Sequence, residues 1–205
     1  MNKNLKRLLV IVYVLVLIVM LAGATFAYFA VIKVSNVAPT VEAGTAQTDW
    51  LIFKAGDPIN IMADENVFGM GDGNLEESTT ATAELQVSNP ENEATYYYDL
   101  FLEIEENNFV YTTEYNEAEL ILSISGPDGE VKSIEGLEYV TAGGVSGFDI
   151  TNKTGRYYIA RDYELSSKDN VMQEWKVTVT FINLDSDQEE NTGKSFAGYL
   201  EIGQD

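Results

Sequence analysis

The sequence predicts an all-β protein, two antiparallel sheets face to face, behind one N-terminal hydrophobic helix. Three observations predict it. Leu8 to Ile32 is a run of 25 residues without a charge, led by Lys3, Lys6 and Arg7 and followed by Lys33. Beyond it, short runs alternate apolar and polar residues with a period of two, the signature of half-buried strands. These runs recur roughly every ten residues between Gly, Asn, Asp and Pro clusters, the rhythm of a sandwich, with a barrel as the alternative.

The opening run has two readings. As a helix it would extend roughly 37 Å, enough for the roughly 20 residues that a bilayer core requires. It also has the parts of an export signal: a basic start, an apolar centre and small residues. Ala22-Gly23-Ala24 fits the small-x-small cleavage rule, and Thr25-Phe26-Ala27 fits it more loosely, so Ala22, Ala24, Thr25 and Ala27 mark the cleavage region. Either way the early cations stay inside and the chain after Lys33 goes outside. The expected places are therefore a single-pass cell membrane protein with its C-terminal domain outside, or the extracellular space after cleavage. The division is 1–33 as signal or anchor, 34–48 as spacer or first strand, and 49–205 as the sandwich.

The 172 residues after Lys33 suffice for one domain with a real core. There is no cysteine, so no disulfide assists it. The body holds eight cations against all 33 acids, a formal charge of −25. Nucleic acid is excluded as a partner on that ground, since phosphates require a basic patch.

Taken in order, residues 34–48 are rich in Ala, Thr and Val. Tyr28, Ala30, Ile32 and Val34 would share one apolar face if that segment were freed and extended, which makes them a candidate donor strand. Asp49 to Ala55 and Ile59 to Met62 read as strands, and Ala63 to Glu77 as a loop. From Thr79, Ala81, Leu85 and Val87 alternate with polar residues until Asn89-Pro90-Glu91-Asn92 breaks the pattern. In Thr95 to Glu105, Tyr96, Tyr98, Leu100, Leu102 and Ile104 share one face, leaving Tyr97 and Phe101 on the other as candidate surface contacts. Leu120, Leu122 and Ile124 lead to Gly126-Pro127-Asp128-Gly129, a hairpin signal, with Glu130 to Ile134 as the return. Thr141 to Gly147 reads as a flexible loop, and Phe148 to Thr151 and Gly155 to Leu165 as strands. Ser166 to Asn170 suits a short helical turn. In Glu174 to Leu184, Trp175, Val177, Val179 and Phe181 face inward, which leaves Ile182 outward and in need of cover. Phe196 to Ile202 closes the fold with Leu200 and Ile202 inward.

Chemistry is constrained by what is missing. Without His or Cys there is no His-based triad, thiol nucleophile or ordinary zinc ligand set. Walker-type and dinucleotide-binding glycine patterns are absent too, and the expectation is not an enzyme. No cofactor is expected, with calcium as the exception to consider. Asp185, Asp187 and Glu189 place oxygens at alternate positions, but no Gly stands sixth as an EF-hand loop requires. Asp64, Glu65, Asp72, Asn74, Glu76 and Glu77 form a second acidic stretch. Asn152-Lys153-Thr154 fits a glycosylation sequon, relevant only in a eukaryote.

Ala22-Gly23-Ala24-Thr25-Phe26-Ala27-Tyr28-Phe29 resembles the end of the export signal in the TasA/camelysin group of Gram-positive surface proteins. Val41-Glu42-Ala43-Gly44-Thr45 resembles the Ala-Gly-Thr that opens the mature domain there. The apolar run is longer than the group's usual signal, and Ala30 and Val31 replace an acidic residue after the Phe. The resemblance implies a jelly-roll sandwich, where periodicity alone leaves jelly-roll and immunoglobulin-like types open. It also implies export, processing and matrix fibres in which a freed N-terminal strand completes the next subunit's sheet. Some camelysins are described as metal-dependent proteases, an activity that a chain without His does not inherit. The expected role is structural, anchored through residues 8–32 or secreted, with self-assembly or a surface partner. The alternative is an anchored adhesin or carbohydrate- or protein-binding module.

Overall fold

The computed structural model describes residues 49–63, 73–87, 93–168 and 172–204. The hydrophobic run, the cleavage region and the candidate donor strand lie outside the described residues. No helix among the described residues is long and apolar enough to cross a membrane.

The described residues form strands β1 (Trp50–Lys54), β2 (Ile59–Met62), β3 (Leu75–Gln86), β4 (Thr95–Asn107), β5 (Leu120–Gly126), β6 (Gly129–Glu130), β7 (Glu138–Ala142), β8 (Val145–Asp149), β9 (Gly155–Ser166), β10 (Met172–Phe181) and β11 (Ser195–Gly203). One 3-10 turn, Glu189–Asn191, interrupts the last connection. The strands make two antiparallel sheets. The first runs β1-β3-β10-β5-β8-β7, with β6 beside β5; the second runs β2-β11-β4-β9. From β2 to β5 and again from β8 to β11, each strand lies in the opposite sheet to the one before it. The two inner faces therefore close on one core, the aligned packing that alternating apolar residues require.

The alternation holds where it was strongest. Tyr98, Leu100, Leu102 and Ile104 of β4 are buried, as are Trp175, Val177, Val179 and Phe181 of β10 and Leu200 and Ile202 of β11. Phe109 and Phe181 meet with ring centroids 4.6 Å apart. Inside this apolar layer runs one polar chain. Trp175 Nε1 donates to the Tyr98 hydroxyl at 2.7 Å, which donates to Gln173 Oε1 at 2.7 Å. Gln173 Nε2 then donates to the Glu164 carbonyl at 2.8 Å. Tyr98, Gln173 and Trp175 thus each have a partner, as burial demands.

Three expectations are corrected. Thr141 to Gly147 is no loop: β7 and β8 pair through it, from Glu138 opposite Asp149 to Ala142 opposite Val145. Gly143 and Gly144 both have positive φ, the requirement of a tight hairpin turn matched to strand twist. β3 begins at Leu75, inside the stretch read as loop, because β10 is long enough to pair with it to the end. The Asp128-Gly129 hairpin forms, but its return strand stops at Glu130. Ile182 has the cover that its outward position requires: it is fully buried in a second small cluster with Ala118 and Ile121, against which Val140, Ala142, Val145 and Leu184 pack.

Candidate functional site

The outer face of the four-stranded sheet carries the predicted contact residues. Tyr97 is 51% exposed on β4. Phe101, two pleats along, is half-buried. It pairs across the strands with Tyr158 of β9, ring centroids 5.5 Å apart. The Arg156 guanidinium lies 3.9 Å above the Phe101 ring, and that of Arg161 lies 3.8 Å above Tyr158. Arg156 is itself held, donating to Glu103 at 3.0 Å and to Glu201 at 2.6 Å. Those bonds, with Glu103 first, raise its pKa above the ordinary value. A guanidinium over an aromatic face is favourable, so both rings already have an occupant. Phe101 is therefore a covered residue and not a free contact, while Tyr97 keeps an open surface.

The acidic loop after β10 does not gather its carboxylates. Among the described residues, no group of three or more acidic side chains is placed to hold a metal ion. Asp187 Oδ1 instead accepts the Glu189 N–H at 3.0 Å, and the Asp185 N–H donates to Asn183 Oδ1 at 2.9 Å. The loop's shape serves its neutral residues. It turns Gln188 and Asn191 inward, away from their exposed acidic neighbours.

They turn toward Glu119, a residue that gave no signal in the sequence. Glu119 is 0% exposed. Its Oε1 accepts the Thr112 N–H and the Thr112 hydroxyl, each at 2.5 Å. Its Oε2 accepts Gln188 Nε2 at 2.7 Å and Asn191 Nδ2 at 2.6 Å. All four donors are neutral. Burying a carboxylate is costly unless its lone pairs are filled, and here they are filled without a cation.

Each donor is fixed by the fold. Gln188 Oε1 accepts the Leu184 N–H at 3.0 Å and Nε2 also donates to the Ile182 carbonyl at 3.0 Å. Asn191 bonds the Val110 backbone in both directions at 2.9 Å. The Thr151 hydroxyl accepts the N–H groups of Glu119 and Leu120. Asn107, at the end of β4, donates to the carbonyls of Ile150 and Lys153. The connections after β4, β8 and β10 are thus tied together at one end of the sandwich. Sequence reading missed this because Glu119 sits in Asn116-Glu117-Ala118-Glu119, which looks like an ordinary solvated turn.

Beside this polar centre is a depression of about 420 Å³, lined in part by Glu117, Ala118, Glu138, Thr141, Asp149 and Leu184. Glu138 and Asp149 face each other across β7 and β8. The Tyr111 hydroxyl donates to Asp149 Oδ2 at 2.8 Å. Burial first, then that bond and the charges of Asp149 and Glu138, push its pKa upward.

No family model and no curated protein matches this chain.

Proposed function

We propose that this chain is an exported structural protein that works by contact at the outer face of a cell membrane and performs no catalysis. Residues 8–32 hold it there as a single span, or cleavage near Ala24 or Ala27 releases it. The observation that carries the reading is the position of β1. It is the first described strand, it lies at the edge of its sheet, and its far side has no neighbouring strand among the described residues. Trp50 on that edge is 55% exposed. An open edge offers unpaired N–H and C=O groups to an added strand. In the released form the added strand is Tyr28, Ala30, Ile32 and Val34 of a second copy, and repetition of that contact builds a fibre.

Two further features support the reading. The orders β2-β11-β4-β9 and β3-β10-β5-β8 are those of two interlocked Greek keys, a jelly roll, with β1 and the β6–β7 excursion added. That is the sandwich type implied by the resemblance to the TasA/camelysin group. The large negative charge keeps free subunits soluble until a specific contact forms.

N-terminal sequencing of the exported protein, with electron microscopy of the same material, tests this. A start near residue 25 or 28 with filaments is expected. An intact Met1 on exported material contradicts strand donation. The rival reading, an adhesin or carbohydrate-binding module, draws on the exposed Tyr97. Specific glycan binding that a Tyr97→Ala variant loses would favour the rival.

A further inference from the structure

We propose that Thr112 and Gln188 join through an intramolecular ester, formed by the folded chain itself with Glu119 as general base. The inference starts from an arrangement that simple stability does not require. A buried carboxylate surrounded only by neutral donors is a costly way to fill space, and an apolar side chain of similar volume often serves as well or better. What the carboxylate adds is a proton acceptor in contact with two reactive groups. The Thr112 hydroxyl donates to one oxygen at 2.5 Å, and the Gln188 amide nitrogen donates to the other at 2.7 Å. A nucleophile and the leaving group of its target thus share one base, the spatial logic of acyl transfer.

The remaining parts are also present. The Gln188 carbonyl oxygen already accepts the Leu184 N–H at 3.0 Å, so a fixed donor awaits the negative charge that attack would place there. Glu119 is fully buried, Gln188 is 5% exposed and Thr112 is half-buried, so water has limited access to the carbonyl carbon of the product. Gln188 and not Asn191 is the target. Asn191 is bonded in both directions to the Val110 peptide, whereas the Gln188 amide, apart from its bond to Glu119, is held by Leu184 and Ile182 of its own connection.

The reaction balances without a co-reactant. Glu119 takes the hydroxyl proton as Thr112 Oγ1 bonds to Gln188 Cδ. The tetrahedral oxygen rests on the Leu184 N–H. The Cδ–Nε2 bond then breaks, Glu119 passes the proton to the departing nitrogen, and ammonia leaves. Glu119 ends as it began. The product ties the connection after β4 to the connection after β10 in a chain that has no cysteine to do so.

Tryptic mapping of the full-length folded protein by mass spectrometry tests the proposal. The expected species joins Ala55–Lys132 to Val177–Lys194 at the sum of their masses less one ammonia, and hydroxylamine splits it. Fragmentation places the link at Thr112 and Gln188. Thr112→Val removes the joined species completely and Thr112→Ser restores it. Recovery of the two peptides separately at their sequence masses from folded wild-type protein overturns the proposal, as does a link to Asn191. The wild-type map decides even if a variant fails to fold.

Discussion

The Tyr98 hydroxyl is the residue on which the core's polar chain depends. It accepts from Trp175 and donates to Gln173, and both partners are buried. Tyr98→Phe leaves an indole N–H and an amide oxygen unpaired, which costs about 1–3 kcal/mol. A urea titration should show a lower midpoint with an unchanged slope. Burial first, then the nearby Asp128 charge, raise the Tyr98 pKa from 10.0 to about 12, against the opposing bond from Trp175. The sign follows from the raised value. The unfolded tyrosine loses its proton near pH 10, while the folded one keeps it to about 12. The contribution is complete below pH 10 and is lost as pH rises through the folded value, about 2–3 kcal/mol from Tyr98 alone. Tyr111 and Tyr163 are shifted in the same direction, both chiefly by burial, and steepen the loss. Denaturation midpoints measured across this alkaline range should fall, whereas Tyr98→Phe should show a shallower fall.

At the scale of elements, Gly56 decides whether the chain can pass from β1 in one sheet to β2 in the other. Its φ is +77°, and a Cβ there would press into Thr79 Oγ1 and lie 2.5 Å from the Thr80 carbonyl oxygen. Gly56→Ala therefore combines a strained backbone with a clash against β3, and should cost at least about 1 kcal/mol by thermal or chemical denaturation. A matched control is Gly129→Ala, which also has positive φ but meets nothing within 4 Å and should cost less. The same scale explains what the sequence could reveal. The inward sets of β4 and β10 were legible because period-two burial writes itself into residue choice. The β7–β8 hairpin was not, since Gly143-Gly144 serves a tight turn and a flexible loop equally well until the flanking strands find partners. The alternation puts Phe101 and Ile182 on outer faces, but what covers each comes from distant strands: Arg156 and Tyr158 for one, the β7–β8 hairpin for the other. The Glu119 centre was illegible for the same reason. Its donors at 112, 188 and 191 lie on separate connections that only the folded sheets bring together.

For the whole molecule, the sequence divides into a leader and a body. The described body is a sandwich with a rich apolar core and a strongly acidic composition, and its first described strand is a sheet edge with no further strand beside it among the described residues. The leader is an uncharged run preceded by cations. On the proposed reading, the domain acts outside the membrane through surfaces and edges. Substituting Ile52 with Lys on β1 places a charge beside that open edge, a device by which sheet proteins block edge pairing. Folding should survive, because Ile52 is only half-buried, while sedimentation of the released protein should shift from filaments toward monomer. The most direct test of the central claim is protease treatment of intact cells, followed by detection of residues 49–205. The account predicts that this domain is found outside, digested at the surface or recovered from the medium. A domain fully protected until the cells are lysed, soluble and still carrying Met1, would contradict it.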